Sequence, residues 1–175
     1  MQLWDYFIQG GPIMYVLLAL NILGFAIIIA KFQIMRKTKN KIDTITDSLT
    51  DSVRQGLKGI TNAQIITEVI SQEILVFMYG LQSGINTIRM IASIAPLLGL
   101  LGTVVGVLMA FMQISKMGMG DPSYFAGGIS MALITTVGGL IVAIPHHVAH
   151  SYFLGILDDI EGDLNRKVLT KVLGG

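Results

Sequence analysis

Three stretches of this chain are too long and too apolar for the interior of a small soluble domain. The first runs from about Pro12 to Ala30, carries no charged side chain and stops at Lys31. The second lies between Arg89 and Lys116, the third between Asp121 and Asp158, and neither interval holds an Asp, Glu, Lys or Arg. A bilayer's hydrocarbon core is crossed by about 20 apolar residues in helix, so three membrane-spanning helices are predicted. The third interval is longer than a bilayer needs, and its helix should project beyond the membrane. Composition agrees: 13% of residues are charged, against about 25% in ordinary soluble domains. A net charge of +1 provides no basic field for nucleic acid. The absence of cysteine rules out a disulfide framework or a thiolate metal site.

Charge also orients the spans. Residues 1–11 contain Asp5 and no Lys or Arg, whereas Lys31, Arg36, Lys37, Lys39 and Lys41 follow the first span. The positive-inside rule places the N-terminus outside and the segment after span one in the cytoplasm. Span two then runs outward and span three inward. The short loop "KMGMGDPSY" suits the outside, and Arg166, Lys167 and Lys171 place the tail inside. Because the positive charge follows the first apolar run, that run is read as a retained span and not a cleaved signal peptide.

The rest reads as helix. Ile42, Ile45, Leu49, Val53, Leu57 and Ile60 recur every three or four residues, which puts them on one helical face. The run "KGITNAQ" interrupts: Gly59 can end one helix, and Thr61 or Asn62 can cap the next. Apolar positions resume at Ile66, Ile70, Ile74, Phe77, Leu81, Ile85 and Ile88. With no proline before span two, one helix is expected from about Ala63 to about Gln113, or about 75 Å. Asp121-Pro122 suits the start of the third span. Beyond Pro145, Leu154, Leu157, Ile160, Leu164, Val168 and Val172 continue an amphipathic pattern. Asp158, Asp159, Glu161 and Asp163, followed by basic residues, read as a solvated face with local ion pairs, with a docking surface for a cytoplasmic partner as the sharper alternative.

The expected fold is all-α: an integral membrane protein with three transmembrane helices, two of them extended into long cytoplasmic helices. Its segments are a periplasmic N-terminus at 1–11 with an interfacial helix, spans at 12–31, 89–114 and 125–149, a cytoplasmic helical segment at 32–88, a periplasmic loop at 115–124 and a cytoplasmic C-terminal helix at 150–175.

Span two carries Ala92, Ala95, Gly99, Gly102, Thr103, Gly106 and Ala110 in a stripe at helical spacing, with Gly102 and Gly106 as a GxxxG pair. Small residues let membrane helices approach closely. Contact within the chain and contact between copies fit equally well. In span three, Ala132, Thr136, Gly139, Ala143, His147 and His150 are expected on one face, with Thr135 and His146 beside it. A threonine hydroxyl donates and accepts at once, and in membrane helices it often bonds to its own preceding turn. His146 and His150 are four apart, as in helical zinc pairs, but no Asp, Glu or Cys is near to complete a site, so no metal or other cofactor is expected. Lying just after Pro145, His146, His147 and His150 read as inner-boundary residues, with a proton exit or pH sensing as the sharper alternative. A proton carrier needs a titratable group within the membrane. The spans offer Asn21, Ser93, Thr103, Ser130, Thr135 and Thr136. If protons cross here, the carboxylate comes from another chain.

"IASIAPLLGLLGTVVGVLMAF" and "GGISMALITTVGGLIVAIP" resemble the MotA/TolQ/ExbB proton-channel family, most closely its short ExbB-type members. The similarity is specific over about Ile91–Pro145 and looser elsewhere. It implies a pentamer in the bacterial inner membrane enclosing the single spans of an ExbD/TolR-type dimer. That partner supplies an aspartate, and a TonB/TolA-type protein transmits the work. The family's pore threonines map onto Thr103 and Thr136, and Thr135 beside them is read as lining the same path. Many ExbB members carry a glutamate where this chain has Met131, so a path through that glutamate does not transfer.

Three functions follow. The first is a proton-driven, non-enzymatic ExbB-type energiser of TonB-dependent transport, with TolQ-like envelope maintenance, gliding or secretion motors as variants. MotA itself fits less well, having four spans and a larger cytoplasmic insert. The second is a self-sufficient channel, disfavoured by the lack of an intramembrane charge. The third is a non-conducting scaffold whose threonines and glycines only pack helices.

Overall fold

The structure, a computed structural model, describes residues 3–57, 62–118 and 121–173. Six helices follow one another: α1 (Leu3–Gln9), α2 (Pro12–Asn40), α3 (Ile42–Gly56), α4 (Ala63–Gln82), α5 (Ile85–Met117) and α6 (Ser123–Leu173). No strand occurs among the described residues. α2, α5 and α6 are each long and apolar enough to cross a membrane, so the all-α, three-span expectation holds.

Breaks between helices come where the sequence changes backbone preference. Gly11 has φ +66°, a left-handed conformation that glycine adopts without penalty, and Pro12 opens α2 with its φ already helical. The expected single helix over 63–113 is instead two. Ser83 leaves the helical region at ψ 131°, and Gly84 takes φ +82° before α5 begins. No proline is needed; one Ser-Gly pair ends the helix. Asn62 caps α4 by accepting from the Gln64 amide at 2.9 Å. The other proposed punctuation residues, Gly59 and Thr61, lie outside the described residues. Asp121 accepts from the Ser123 amide at 2.9 Å, which holds its carboxyl below the usual carboxylate range. α6 runs unbroken through Pro145, at the loss of one intrahelical hydrogen bond.

The chain divides into two compact units, residues 1–28 with 87–150, and residues 29–86 with 151–175. In the first, α6 packs on two neighbours. Against α5 it is antiparallel: Ala95 meets Gly139, Gly99 meets Thr135 and Gly139, Gly102 meets Thr135, and Gly106 meets Gly128 and Ala132. Against α2 it is parallel: Met14 and Leu17 meet Gly138, and Gly24 meets His146. Leu17, Ile91, Ala95, Val142 and Ala143 form the shared core.

The α5–α6 contact is backbone on backbone. A methyl group at Gly106 would stand 2.5 Å from the Gly128 carbonyl oxygen, and one at Gly139 would stand 2.6 Å from that of Ala95. Both are too close for any real side chain. Helices in lipid gain little from hydrophobic driving force, so such approach is how they associate.

The second unit has a soluble-style core. Ile70, Ile74, Met78 and Leu81 of α4 and Phe153, Leu157, Ile160, Leu164 and Val168 of α6 are buried. Thus Leu154, expected on the inner face, is exposed, and Phe153 takes its place. On α3 the buried face includes Thr46 and Thr50 beside Val53 and Leu57. The two hydroxyls donate to Ile42 and Thr46 carbonyls, both at 2.7 Å. A hydroxyl satisfied within its own turn can be buried cheaply, which is why an apolar pattern alone missed these positions. Lys167 pairs with Asp43 at 2.5 Å, and Lys171 pairs with Asp47. The Lys167 hydrogen bond and charge hold the Asp43 carboxyl below its ordinary value. This contribution exists above the ordinary carboxylate range and fades as pH falls through the lowered value.

Two alanine substitutions separate packing from helix propensity. Gly139→Ala should destabilise the detergent-solubilised protein by about 1–3 kcal/mol through overpacking. Gly162→Ala, with nothing within 4 Å of the added methyl, should stabilise by about 1 kcal/mol. Thermal melts of both check the register; a tolerated Gly139→Ala contradicts it.

Candidate functional site

Span three buries more than the one face expected of it. The buried residues of α6 in the first unit are Ala132, Thr135, Gly138, Gly139, Val142, Ala143 and His146. Thr136 and His150 are half-buried and His147 is exposed. Of the face drawn through Ala132, Thr136, Gly139, Ala143, His147 and His150, the three small residues are buried, and Thr135 and His146 beside it are buried as well. Contact with two helices at once explains it. The arc facing α5 and the arc facing α2 together cover more of α6 than a one-partner stripe would.

The three threonines have different surroundings. Thr135 is fully buried, and its hydroxyl is shared between the Met131 and Ala132 carbonyls at 2.9 and 3.0 Å. Gly102 makes room for it: a methyl there would lie 2.2 Å from the Thr135 oxygen. Thr103, half-buried on α5, donates to the Leu100 carbonyl at 2.5 Å. Only Thr136 reaches across helices, to the Gly99 carbonyl at 3.4 Å. That is a long, weak bond, so this hydroxyl is the least committed of the three. The small residues Ala95, Gly99, Gly102, Gly106, Ala132 and Gly139 lie where α5 and α6 touch, and Ala143 lies in the core beside them.

Met131 is half-buried, and its methyl end lies 3.2 Å from where a Gly11 side chain would begin. Beside it Ser130 donates to the Gln9 side chain at 3.2 Å. This end of α6 is thus tied to the α1–α2 turn, where Trp4 stacks on Phe7 at 5.6 Å and Phe7 meets Tyr15 edge-on at 5.0 Å. Such aromatic clusters suit a membrane interface.

The α2–α6 contact carries polarity that the sequence reading left unplaced. His146 is 0% exposed, and its Nδ1 lies 2.7 Å from the Val142 carbonyl oxygen. Its ring meets Phe25 edge-on at 5.2 Å and rests on Gly24, where a methyl would stand 1.9 Å from Nε2. The signal for Asn21 and Gly24 is spacing: Met14, Leu17, Asn21, Gly24 and Ile28 step three, four, three and four along α2, all wholly or half-buried.

Two apolar helices, α5 and α6, meet through glycine and threonine over the very segments "GTVVGVLMAF" and "GISMALITTVGGLIVAIP", and a model of the MotA/TolQ/ExbB proton channel family matches residues 36–166. The chain belongs to the MotA/TolQ/ExbB proton channel family. It is 31% identical over 180 residues to a putative biopolymer transport protein ExbB homolog of Methanothermobacter thermautotrophicus, covering 89% of this chain and 64% of that protein. It is 32% identical over 96 residues to the biopolymer transport protein ExbB of Xanthomonas campestris, covering 55% of this chain and 38% of the relative. With the ExbB of Aquifex aeolicus it shares 40% identity over 67 residues, 38% of this chain and 45% of the relative. The chain thus spans less than two thirds of these relatives' lengths. The family's work is channel and transport chemistry, not enzymatic turnover.

The steric fit at Gly24 is directly testable. Gly24→Ala should lower the melting temperature, and adding His146→Ala, which removes the clashing ring, should recover part of the loss. A Gly24→Ala protein as stable as the parent would contradict this packing.

Proposed function

We propose that this chain is the pore-forming subunit of a proton-motive-force-driven inner-membrane motor of the ExbB–ExbD type, energising TonB-dependent outer-membrane transport. The reading rests on one combination: the family match over 36–166 falls on spans that carry no Asp or Glu. Such spans can line a path but cannot hold a proton on a carboxylate. An ExbD/TolR-type single-span partner supplies that carboxylate. The printed names of the relatives, biopolymer transport protein ExbB, favour this branch over a TolQ-like envelope-maintenance motor.

The assembly is a pentamer around the partner's spans. In support, only 11%, 28% and 33% of the three apolar windows is buried within the chain, which leaves surface for lipid and for other copies. The N-terminus lies in the periplasm and the C-terminus in the cytoplasm, in keeping with the basic residues after α2 and in the tail. Within the pore, Thr103 and Thr136 are the hydroxyls assigned to the path. Thr135, sealed between α5 and α6, positions those helices.

Thr136→Val preserves side-chain shape and removes the hydroxyl. Proton-motive-force-dependent uptake in cells should fall severalfold while native mass spectrometry still shows the intact oligomer. Normal uptake sinks the Thr136 assignment, and a monomer of the parent protein in mild detergent sinks the assembly.

A further inference from the structure

Two side-chain atoms in the first unit are buried without a hydrogen-bond partner among the described residues: Asn21 Oδ1 and His146 Nε2. Buried polar atoms in native proteins are nearly always satisfied, so each such atom calls for a donor.

The chemistry of the missing group follows from what surrounds the ring. His146 Nδ1 faces a carbonyl oxygen at 2.7 Å, and a carbonyl only accepts. Nδ1 therefore carries the hydrogen, and Nε2 of the neutral ring presents a lone pair. Asn21 Oδ1 is an acceptor too. Two acceptors cannot satisfy each other, and both need donated hydrogens.

The helix register puts the two residues at neighbouring levels of the α2–α6 contact. Asn21 stands one turn before Gly24 on the same face of α2, and the His146 ring sits against Gly24. Side chains on a helix lean toward its N-terminus, so His146 reaches back toward Val142. The parallel register of Leu17 with Gly138 and Gly24 with His146 brings Asn21 to a neighbouring level.

We propose that one water molecule is bound between α2 and α6, donating one hydrogen to His146 Nε2 and the other to Asn21 Oδ1. A neutral donor with two hydrogens is the ligand that two neighbouring unsatisfied acceptors require. A proton on Nε2 fits less well. No Asp or Glu lies anywhere in 12–30, 85–117 or 122–157 to balance the charge. Arg89 of α5 is near enough to act electrostatically on His150, one turn along from His146. His147 and His150 on α6 itself offer no anion, and Lys31, two turns past Gly24 on α2, donates to the Leu81 carbonyl. The proposal places an ordered water beside an imidazole between two spanning helices.

Two measurements on the full chain test it. In nanodiscs of phosphatidylglycerol and phosphatidylethanolamine, protein labelled with 15N-histidine should show His146 with its hydrogen on Nδ1 and with magnetisation transfer from water to the ring. The resonances are assigned by their loss in His146→Phe. Absence of that transfer, or a hydrogen on Nε2 at neutral pH, overturns the proposal. In thermal melts, Asn21→Leu and His146→Phe should each lower the melting temperature by stranding the other partner. The double variant, which leaves no acceptor behind, should lose clearly less than the sum. Strictly additive losses mean the two residues share no water and also overturn it.

Discussion

The backbone-to-backbone approach of α5 and α6 is the contact from which the remaining geometry follows. Gly99 and Gly139 lie so close that a methyl on Gly139 would stand 3.1 Å from the Gly99 Cα. No larger residue fits, and no other pair of spans in the first unit is shown to touch at glycine on both sides. That contact fixes the antiparallel register. The register sets Thr135 over Gly102, where it is sealed, and sets Thr136 against the Gly99 carbonyl, where its hydroxyl is only loosely held. A one-residue step along α6 thus separates a hydroxyl sealed in its own helix from one that is loosely held across the contact.

The second constraint is electrostatic. Lipid tolerates a carboxylate only where something else stabilises it, and these spans contain none. On the proposed function the labour is divided between proteins: this chain contributes hydroxyls, small residues and helix packing, and a partner contributes the group that changes charge. Met131, whose methyl end lies near Gly11, stands without an acid at a position where the resemblance led one to expect a glutamate in many ExbB-type members. Here that position is part of the apolar packing near the α1–α2 turn.

Much of this was legible from sequence because membrane spans are written in long, charge-free runs. The three spans, their alternation and the small-residue faces follow from hydropathy and spacing. The helix break at Ser83–Gly84 did not, because a single glycine in an apolar pattern is as compatible with helix as with a left-handed turn. The burial of Thr135 and His146 beside the small-residue stripe of α6 was not legible: a stripe drawn for one neighbour cannot anticipate a helix wedged between two. Thr46 and Thr50 were missed because their hydroxyls are satisfied within their own helix, a fact that polarity scales do not contain. The Gly24–His146 contact joins residues more than a hundred positions apart, and no local pattern links them.

The central claim is that this chain builds a proton path but lacks the proton carrier. It is tested most directly by reconstitution in liposomes under an imposed membrane potential, with a pH-sensitive dye inside. The chain alone should give proton flux close to that of empty liposomes, and co-reconstitution with a single-span partner bearing an intramembrane aspartate should raise it. Brisk flux through the chain alone would contradict the account.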